Sequence, residues 1–215
     1  MIQNIPQTQV LGEKQQHPKA ERTLVVIKPD GVQRGLIGEV ISRFERVGLK
    51  LVGLKLITPT LEHIEKHYTL DAGWKFAVGT KSIEAYAKQG RQQWSTDPIE
   101  VATKILGRLQ AYLSSGPVVA MVWQGAHAVP LVRKLVGSTE PLSSDVGTIR
   151  GDYMLDSYFV SDLENRAIRN VVHASGSDAE AQQEIAHWFN ANEVQDYRLI
   201  QEVLIYDVNA DGAKE

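Results

Sequence analysis

One histidine, His173, stands where chemistry is easiest to build. The string Arg169-Asn170-Val171-Val172-His173-Ala174-Ser175-Gly176-Ser177 sets it after two β-branched valines and before a turn of small residues, the pattern of a strand that delivers a nucleophile. Directly afterwards, Ser177-Asp178-Ala179-Glu180 has the spacing of a capping box and predicts a helix start. In that helix Ala181, Ile185, Trp188 and Phe189 share one apolar stripe, and Glu184 falls on it. A carboxylate on a buried stripe needs a partner, because an unpaired buried charge is costly. The economical partner is the imidazole of His173, whose tautomer and orientation Glu184 would then fix. A satisfied core histidine beside a glutamate that reaches solvent explains the same residues, so the rest of the chain must decide.

Other polar groups are placed as if for an anion. The apolar run 23–27 reads as a strand covered on both faces, and Lys28-Pro29-Asp30-Gly31 stops it with Lys28 at its end. A solvated lysine at a sheet edge is the plain alternative; a phosphate-binding lysine is the chemical one. No G-x-x-x-x-G-K-[ST] string occurs, so this is not a P-loop. Thr60 predicts a short helix on which Leu61, Ile64 and Tyr68 share a face, turning the Tyr68 hydroxyl inward. A helix through Val129, Val132 and Val136 carries Arg133, and two glycine-bearing loops, 137–141 and 146–152, carry Thr139 and Arg150 with free backbone amides. With Asn170 and Ser175 these make one nucleophile, its orienting partners and a set of cations, which is phosphoryl chemistry. A histidine is roughly three quarters neutral at pH 7, so it attacks phosphorus without a strong base. A phosphohistidine splits one transfer between two polyanions into two displacements, and double-displacement kinetics follow. His63 and His67, four apart, lack a third metal ligand and fit a surface helix better.

These groups need a scaffold, and 215 residues with 43% apolar content supply one domain with insertions. There are no cysteines, which excludes disulfides and thiolate metal sites and fits a reducing, cytoplasmic setting. A formal net charge of −3 gives no global attraction to nucleic acid or acidic membranes, and no apolar run reaches membrane-spanning length. The expected ligand is therefore small. Residues 1–20 read as a flexible tail, 21–206 as the folded domain and 207–215 as a second tail. Within the domain a helix is expected over 36–47, a strand over 49–57, a segment capped by Thr80, a longer helix capped by Asp97-Pro98, and a strand over 118–123. The stretch 153–169 is mixed, and 199–206 reads as an edge strand or extended arm. Arg150-Gly151-Asp152 spells an adhesion tripeptide, taken as chance.

Four strings, Lys28 to Gly35, Ser115 to Trp123, Gly147 to Asp152 and Asn170 to Ser175, occur in order and resemble the nucleoside diphosphate kinases over most of residues 21–193. The resemblance implies an α/β (α+β) ferredoxin-like βαββαβ sandwich with a four-stranded antiparallel sheet, assembled as a hexamer or tetramer. It implies transfer of the γ-phosphate of ATP to nucleoside diphosphates, with Mg²⁺ carried on the nucleotide phosphates rather than by protein ligands. Carried residue by residue, it makes His173 the phosphorylated nucleophile, Glu184 and Ser175 its supports, and Tyr68 its neighbour. Lys28, Arg133, Thr139, Arg150 and Asn170 would hold phosphates and sugar. Phe76 fits the spacing of the aromatic that stacks on the base, with Trp74 a rival. The chain departs from the family in insertions at about 71–114 and 154–168, and in Gly176, where the family has an aspartate that Asp178 would replace through water. A weakly catalytic binding or assembly protein on the same fold, and a relay of phosphate to another protein, are the competing readings.

Overall fold

Apolar runs without alternation demand cover on both faces, and the sheet provides it. The computed structural model describes residues 18–88 and 90–206. Four strands, β1 (Arg22–Ile27), β2 (Lys50–Ile57), β3 (Val118–Gln124) and β4 (Val172–Ala174), pair antiparallel in the order β2-β3-β1-β4. After β1 come α1 (Pro29–Gln33) and α2 (Ile37–Arg46). Between β2 and β3 lie α3 (Leu61–Tyr68), α4 (Trp74–Lys88) and α5 (Pro98–Leu113). Helices α6 (Ala128–Val136), α7 (Ile149–Tyr153) and α8 (Tyr158–Leu163) lead to β4; α9 (Asp178–Trp188) and α10 (Glu202–Ile205) follow it. With α2 and α6 as crossovers this is the expected ferredoxin-like βαββαβ arrangement.

Val25, Ile27, Met121 and Trp123 pack on one face against Phe44 of α2 and Val132 and Val136 of α6. Leu24, Val26, Ala120 and Val122 pack on the other against Trp188 and Phe189. That second contact holds α9 across the end of β1, and so brings Glu184 over β4. Fully burying one such side chain contributes about 1.5–3 kcal/mol, and loss of either layer would release the helix it holds.

Several expectations change. Thr80 lies inside α4 rather than capping it, because the helix begins six residues earlier at Trp74; Asp97 does cap α5, accepting from the Ile99 amide at 2.8 Å. The 199–206 segment is not a strand: a turn leads into α10, and Tyr206 docks its hydroxyl under the Ala126 amide at 3.1 Å. Arg150 sits not in a loop but on α7, capped by Thr148. Residues 18–20 form a 3-10 turn, while 1–17 and 207–215, the bulk of the expected tails, lie outside the described residues.

The segments 71–114 and 154–168 meet. Arg108 of α5 binds Asp162 of α8 at 3.1 Å and Asn165 at 2.7 Å, Tyr86 of α4 donates to the same Asp162, and Arg91 lies over the Phe159 ring. Helices α4 and α5 approach so closely that a Cβ on Gly79 would overlap the Pro98 backbone, 1.9 Å from its carbonyl oxygen. No helix among the described residues is long and apolar enough to cross a membrane.

Candidate active site

The chain delivers His173 by a sharper device than the sequence suggests. Only Val172, His173 and Ala174 form the strand; Val171 has φ 63° and the Val172 amide binds the Asn170 carbonyl at 2.6 Å, a γ-turn. A β-branched residue in the left-handed region costs of order 1–3 kcal/mol and persists only where surroundings impose it. Here Asp30 accepts from the Val171 amide at 3.2 Å, and the Val171 carbonyl accepts from the Lys28 amide at 2.7 Å. The turn throws Asn170 back toward Lys28, whose Nζ donates to Asn170 Oδ1 at 2.7 Å.

Ser177 caps α9, accepting from the Glu180 amide. Glu180 reaches one residue further back than a capping box requires and accepts from the Gly176 amide at 2.8 Å. Its carboxylate therefore fills the space beside Gly176, where an added Cβ would lie 2.6 Å away. Asp178, the residue expected to replace the family's aspartate, instead binds Gln182 at 2.8 Å; the carboxylate nearest the gap is that of Glu180.

As the stripe predicts, Glu184 is buried, and it faces the histidine. Its Oε1 lies 2.8 Å from His173 Nε2, and its Oε2 accepts from the Ser175 hydroxyl at 2.6 Å. Ser175 in turn accepts from the Leu24 amide at 3.2 Å. Burial alone would raise the Glu184 carboxyl, but the His173 imidazole and these hydrogen bonds outweigh it and hold the group at about 2. An ionised acceptor keeps the proton of neutral His173 on Nε2 and leaves the lone pair of Nδ1, which has no hydrogen-bond partner among the described residues, able to act as a nucleophile.

His67, read from the sequence as a surface residue, is buried against the site. Its Nδ1 accepts from Trp188 Nε1 at 3.1 Å, and its ring stands edge-on to His173 with centroids 4.6 Å apart. Burial and the neighbouring His173 lower it to about 3, so it is neutral in ordinary conditions. Its position three residues after buried Ile64 was the available signal. The proposed partner His63 instead stacks on His187 at 4.0 Å. His67, His173 and Glu184 bring ligand-type atoms within 4.8 Å of one another. His67 Nδ1 is held by Trp188, and Glu184 by His173 and Ser175, so hydrogen bonds tie the trio together.

The cations are arranged in tiers. Lys28 is buried, and Tyr112, a residue the sequence reading passed over, lies under its Nζ at 5.2 Å and accepts from the Asn170 amide at 3.3 Å. Burial, with Arg150 nearby and against Asp30, lowers Lys28 to about 7. Arg150 is buried and lowered to about 10 by burial and by Arg133. It donates to the carbonyls of Asn170, Gly137, Ser138 and Val172 at 2.6–3.2 Å, leaving one of five N–H donors for a ligand. Arg133 and Thr139 are exposed; Arg133 makes a long 3.5 Å contact with Ala174 O, and the Thr139 carbonyl accepts from Asn170 Nδ2 at 2.8 Å. Mutually repelling cations with only Asp30 acting against them are an arrangement suited to a polyanion. Tyr68 is partly buried, its phenol pushed up by desolvation and the Glu184 charge, and its ring lies 5.3 Å from Trp74. Trp74 is thereby occupied, whereas Phe76 is 61% exposed.

Comparison with known proteins agrees with this geometry. The nucleoside diphosphate kinase family model matches residues 21–92 and 98–194. A nucleoside diphosphate kinase from Pyrobaculum aerophilum is 48% identical over 178 residues, covering 81% of this chain and 97% of its own. One from Synechococcus is 41% identical, covering 83% and 91%. Among solved structures, an NDP kinase from Pyrobaculum aerophilum superposes with TM-score 0.78 at 45% identity, covering 82% of this chain and all of its own. The Borrelia burgdorferi nucleoside-diphosphate kinase, a transition-state mimic with bound vanadate and ADP, superposes with TM-score 0.72 at 35% identity, covering 87% and 98%. A buried Glu184 fixing one face of His173 beside a cluster of cations, on this fold and at these identities, places the chain in the nucleoside diphosphate kinase family of phosphotransferases.

Proposed function

We propose that this chain moves the γ-phosphate of ATP to nucleoside diphosphates through a phosphohistidine on His173. The observation that carries the proposal is the polarised imidazole: Nε2 held by Glu184 at 2.8 Å, Nδ1 unengaged. Nδ1 attacks the γ-phosphorus, the bond to the β-phosphate oxygen breaks, and ADP leaves. The imidazole becomes cationic as the N–P bond forms, and the Glu184 carboxylate stabilises that charge without taking the proton. A β-phosphate oxygen of the acceptor then displaces the histidine, restoring it and giving a nucleoside triphosphate. Lys28, Arg133 and the one remaining Arg150 donor stabilise charge on the transferring group, Thr139 and Asn170 orient phosphate and sugar, and Ser175 locks Glu184. Mg²⁺ arriving with the nucleotide would supply charge neutralisation on the phosphates; the hydrogen bonds that tie His67 to Trp188 and Glu184 to His173 and Ser175 fit that arrangement.

The test is incubation with γ-labelled ATP and Mg²⁺, followed by a GDP chase. Acid-labile, base-stable label that the chase converts to GTP is the expected result; absence of label, or label that GDP cannot remove, overturns the reading.

Two further results are expected. Phe76, the exposed ring on the first turns of α4, stacks on the base, so Phe76→Ala raises the nucleotide KM by about 5- to 30-fold, the order of one stacking contact, with a small effect on kcat. Trp74→Ala changes KM less, because that ring already packs on Tyr68. For Lys28, held at about 7, the sign is set by its charged form: above that pH the free enzyme loses a phosphate-binding cation. Steady-state KM should therefore rise between pH 7 and 9, by at most about tenfold per pH unit, and Lys28→Arg should flatten that rise.

We further propose that copies of the chain assemble as a hexamer or tetramer, with the reaction taking place in the cytoplasm. The cysteine-free composition supports the compartment. Leu142, Val146, Leu155, Phe159 and Leu163, exposed apolar residues along 142–163, support the assembly. Light scattering that returns a monomer would overturn it.

A further inference from the structure

Lys28 is a buried ammonium held without an ion pair. It is 5% exposed, donates to Asn170 Oδ1 at 2.7 Å, and pairs with no carboxylate among the described residues. Arg150 of α7 pushes against its charge, and Asp30 of α1 acts for it without pairing. Tyr112 of α5 covers another side of the ammonium, its ring centroid 5.2 Å from Nζ. A cation over a phenol ring is attracted by the ring's quadrupole, more strongly where water is excluded. The hydroxyl of the same residue reaches the lysine's other neighbours. It accepts from the Asn170 amide at 3.3 Å and hydrogen bonds to the Asp30 side chain, which also accepts from the Val171 amide at 3.2 Å. Burial and the Asp30 carboxylate push that phenol up, so it keeps its proton and serves Asp30 as donor and Asn170 as acceptor together. Leu106 and Leu113, both buried and seven residues apart on α5, hold the helix end that carries the ring.

We infer that Tyr112 is a positioning residue for nucleotide binding: its ring keeps the Lys28 ammonium charged and in place for the phosphates, and its hydroxyl fixes the turn that brings Asn170 to the lysine. The inference rests on the proposed role of Lys28 as a phosphate ligand. Tyr112 acts through its neighbours, since its hydroxyl is committed to Asn170 and Asp30 and its ring to Lys28. The two halves of the side chain have separate signatures. Without the ring the charged form of Lys28 is disfavoured, so the lysine loses its proton at lower pH and the binding defect grows as pH rises. Without the hydroxyl the charge stays and the turn loosens, so the defect is the same at each pH.

The test is calorimetric titration of the full chain with ADP and Mg²⁺ at pH 6 and pH 8, with variants compared at the same pH so that titration of the ADP phosphates cancels. Tyr112→Phe keeps the ring and loses the hydroxyl; it should weaken ADP binding about threefold at both pH values, the order of one hydrogen bond. Tyr112→Met fills much of the same volume without a π face. It should bind more weakly than Tyr112→Phe, by about twofold at pH 6 and about tenfold at pH 8, the order of a desolvated cation–π contact. In a Lys28→Arg background, where the cation does not titrate, that gap should no longer widen with pH. A gap between the two variants that stays constant with pH, or a Tyr112→Phe variant that binds as tightly as the wild type, would overturn the inference and leave the kinase reading standing. A wild-type chain that binds no ADP defeats both. Circular dichroism confirms that the variants are folded, and Tyr112→Leu, which also lacks a π face, takes the place of Tyr112→Met should that variant not fold.

Discussion

The His173→Ala variant takes up no acid-labile phosphate and loses nucleoside diphosphate kinase activity by about four orders of magnitude or more, the scale seen when a covalent nucleophile is removed. The loss falls on kcat. The proposed phosphate-binding groups on other elements, Lys28 at the end of β1, Arg133 on α6 and Arg150 on α7, have no hydrogen bond to the imidazole among the described residues and should remain in place. ADP affinity should therefore change by less than about threefold, measured by calorimetry beside the kinetic assay. The side chain is only partly buried, with 16% exposure, so its removal leaves a small cavity and the fold should survive. A variant that keeps substantial labelled phosphate would move the nucleophile elsewhere and sink the mechanism.

The second large effect belongs to Arg150, and it is as much structural as electrostatic. Four of its N–H groups close the 137–138 carbonyls onto those of Asn170 and Val172, so one guanidinium ties the Thr139 turn to the histidine strand. Lysine has the charge but not the fork. Arg150→Lys leaves two or more buried carbonyls unsatisfied at about 1–3 kcal/mol each, a total of roughly 3–5 kcal/mol. For a chain of this size that lowers Tm by about 10 °C. Activity should fall with it, in both kcat and KM, since the groups displaced hold the acceptor and the nucleophile. Arg133→Lys is the contrast: exposed and bonded only weakly, it should alter KM and leave Tm within about 1 °C. Equal melting of the two variants would show that Arg150 acts as a phosphate ligand alone.

This division was not visible in the sequence. Arg150 could be read there as a cation in a glycine-bearing loop, because nothing local reveals that a guanidinium is buried or which distant carbonyls it meets. The His173–Glu184 pair was legible because helical periodicity fixes which face a residue occupies, and a carboxylate on an apolar stripe must find a partner. The first and third strands were legible for the same kind of reason: continuous apolar runs leave few alternatives. What stayed hidden is set by tertiary contact. Tyr112 comes to Lys28 and Asn170 only because α5 packs against the core. Val171 adopts a left-handed backbone only because Asp30 and Lys28 hold its amide and carbonyl. Neither has a local signal. His67 did have one, its spacing from Ile64, but a pair of histidines at i and i+4 suggested a metal question and drew attention to the wrong face.

The hydrogen bond from the Leu24 amide to Ser175 gives the site a spectroscopic handle. Leu24 is a central-strand residue with no exposure to solvent, and its N–H reaches the Glu184 carboxylate through a single hydroxyl: Leu24 to Ser175 at 3.2 Å, Ser175 to Glu184 at 2.6 Å. An amide proton shift is sensitive to the acceptor strength of the oxygen it faces, and that strength follows how much of the Glu184 charge the imidazole draws off. A nitrogen-15 spectrum of this one backbone position, deep in the sheet, thus tests the proposed phosphorylation of His173.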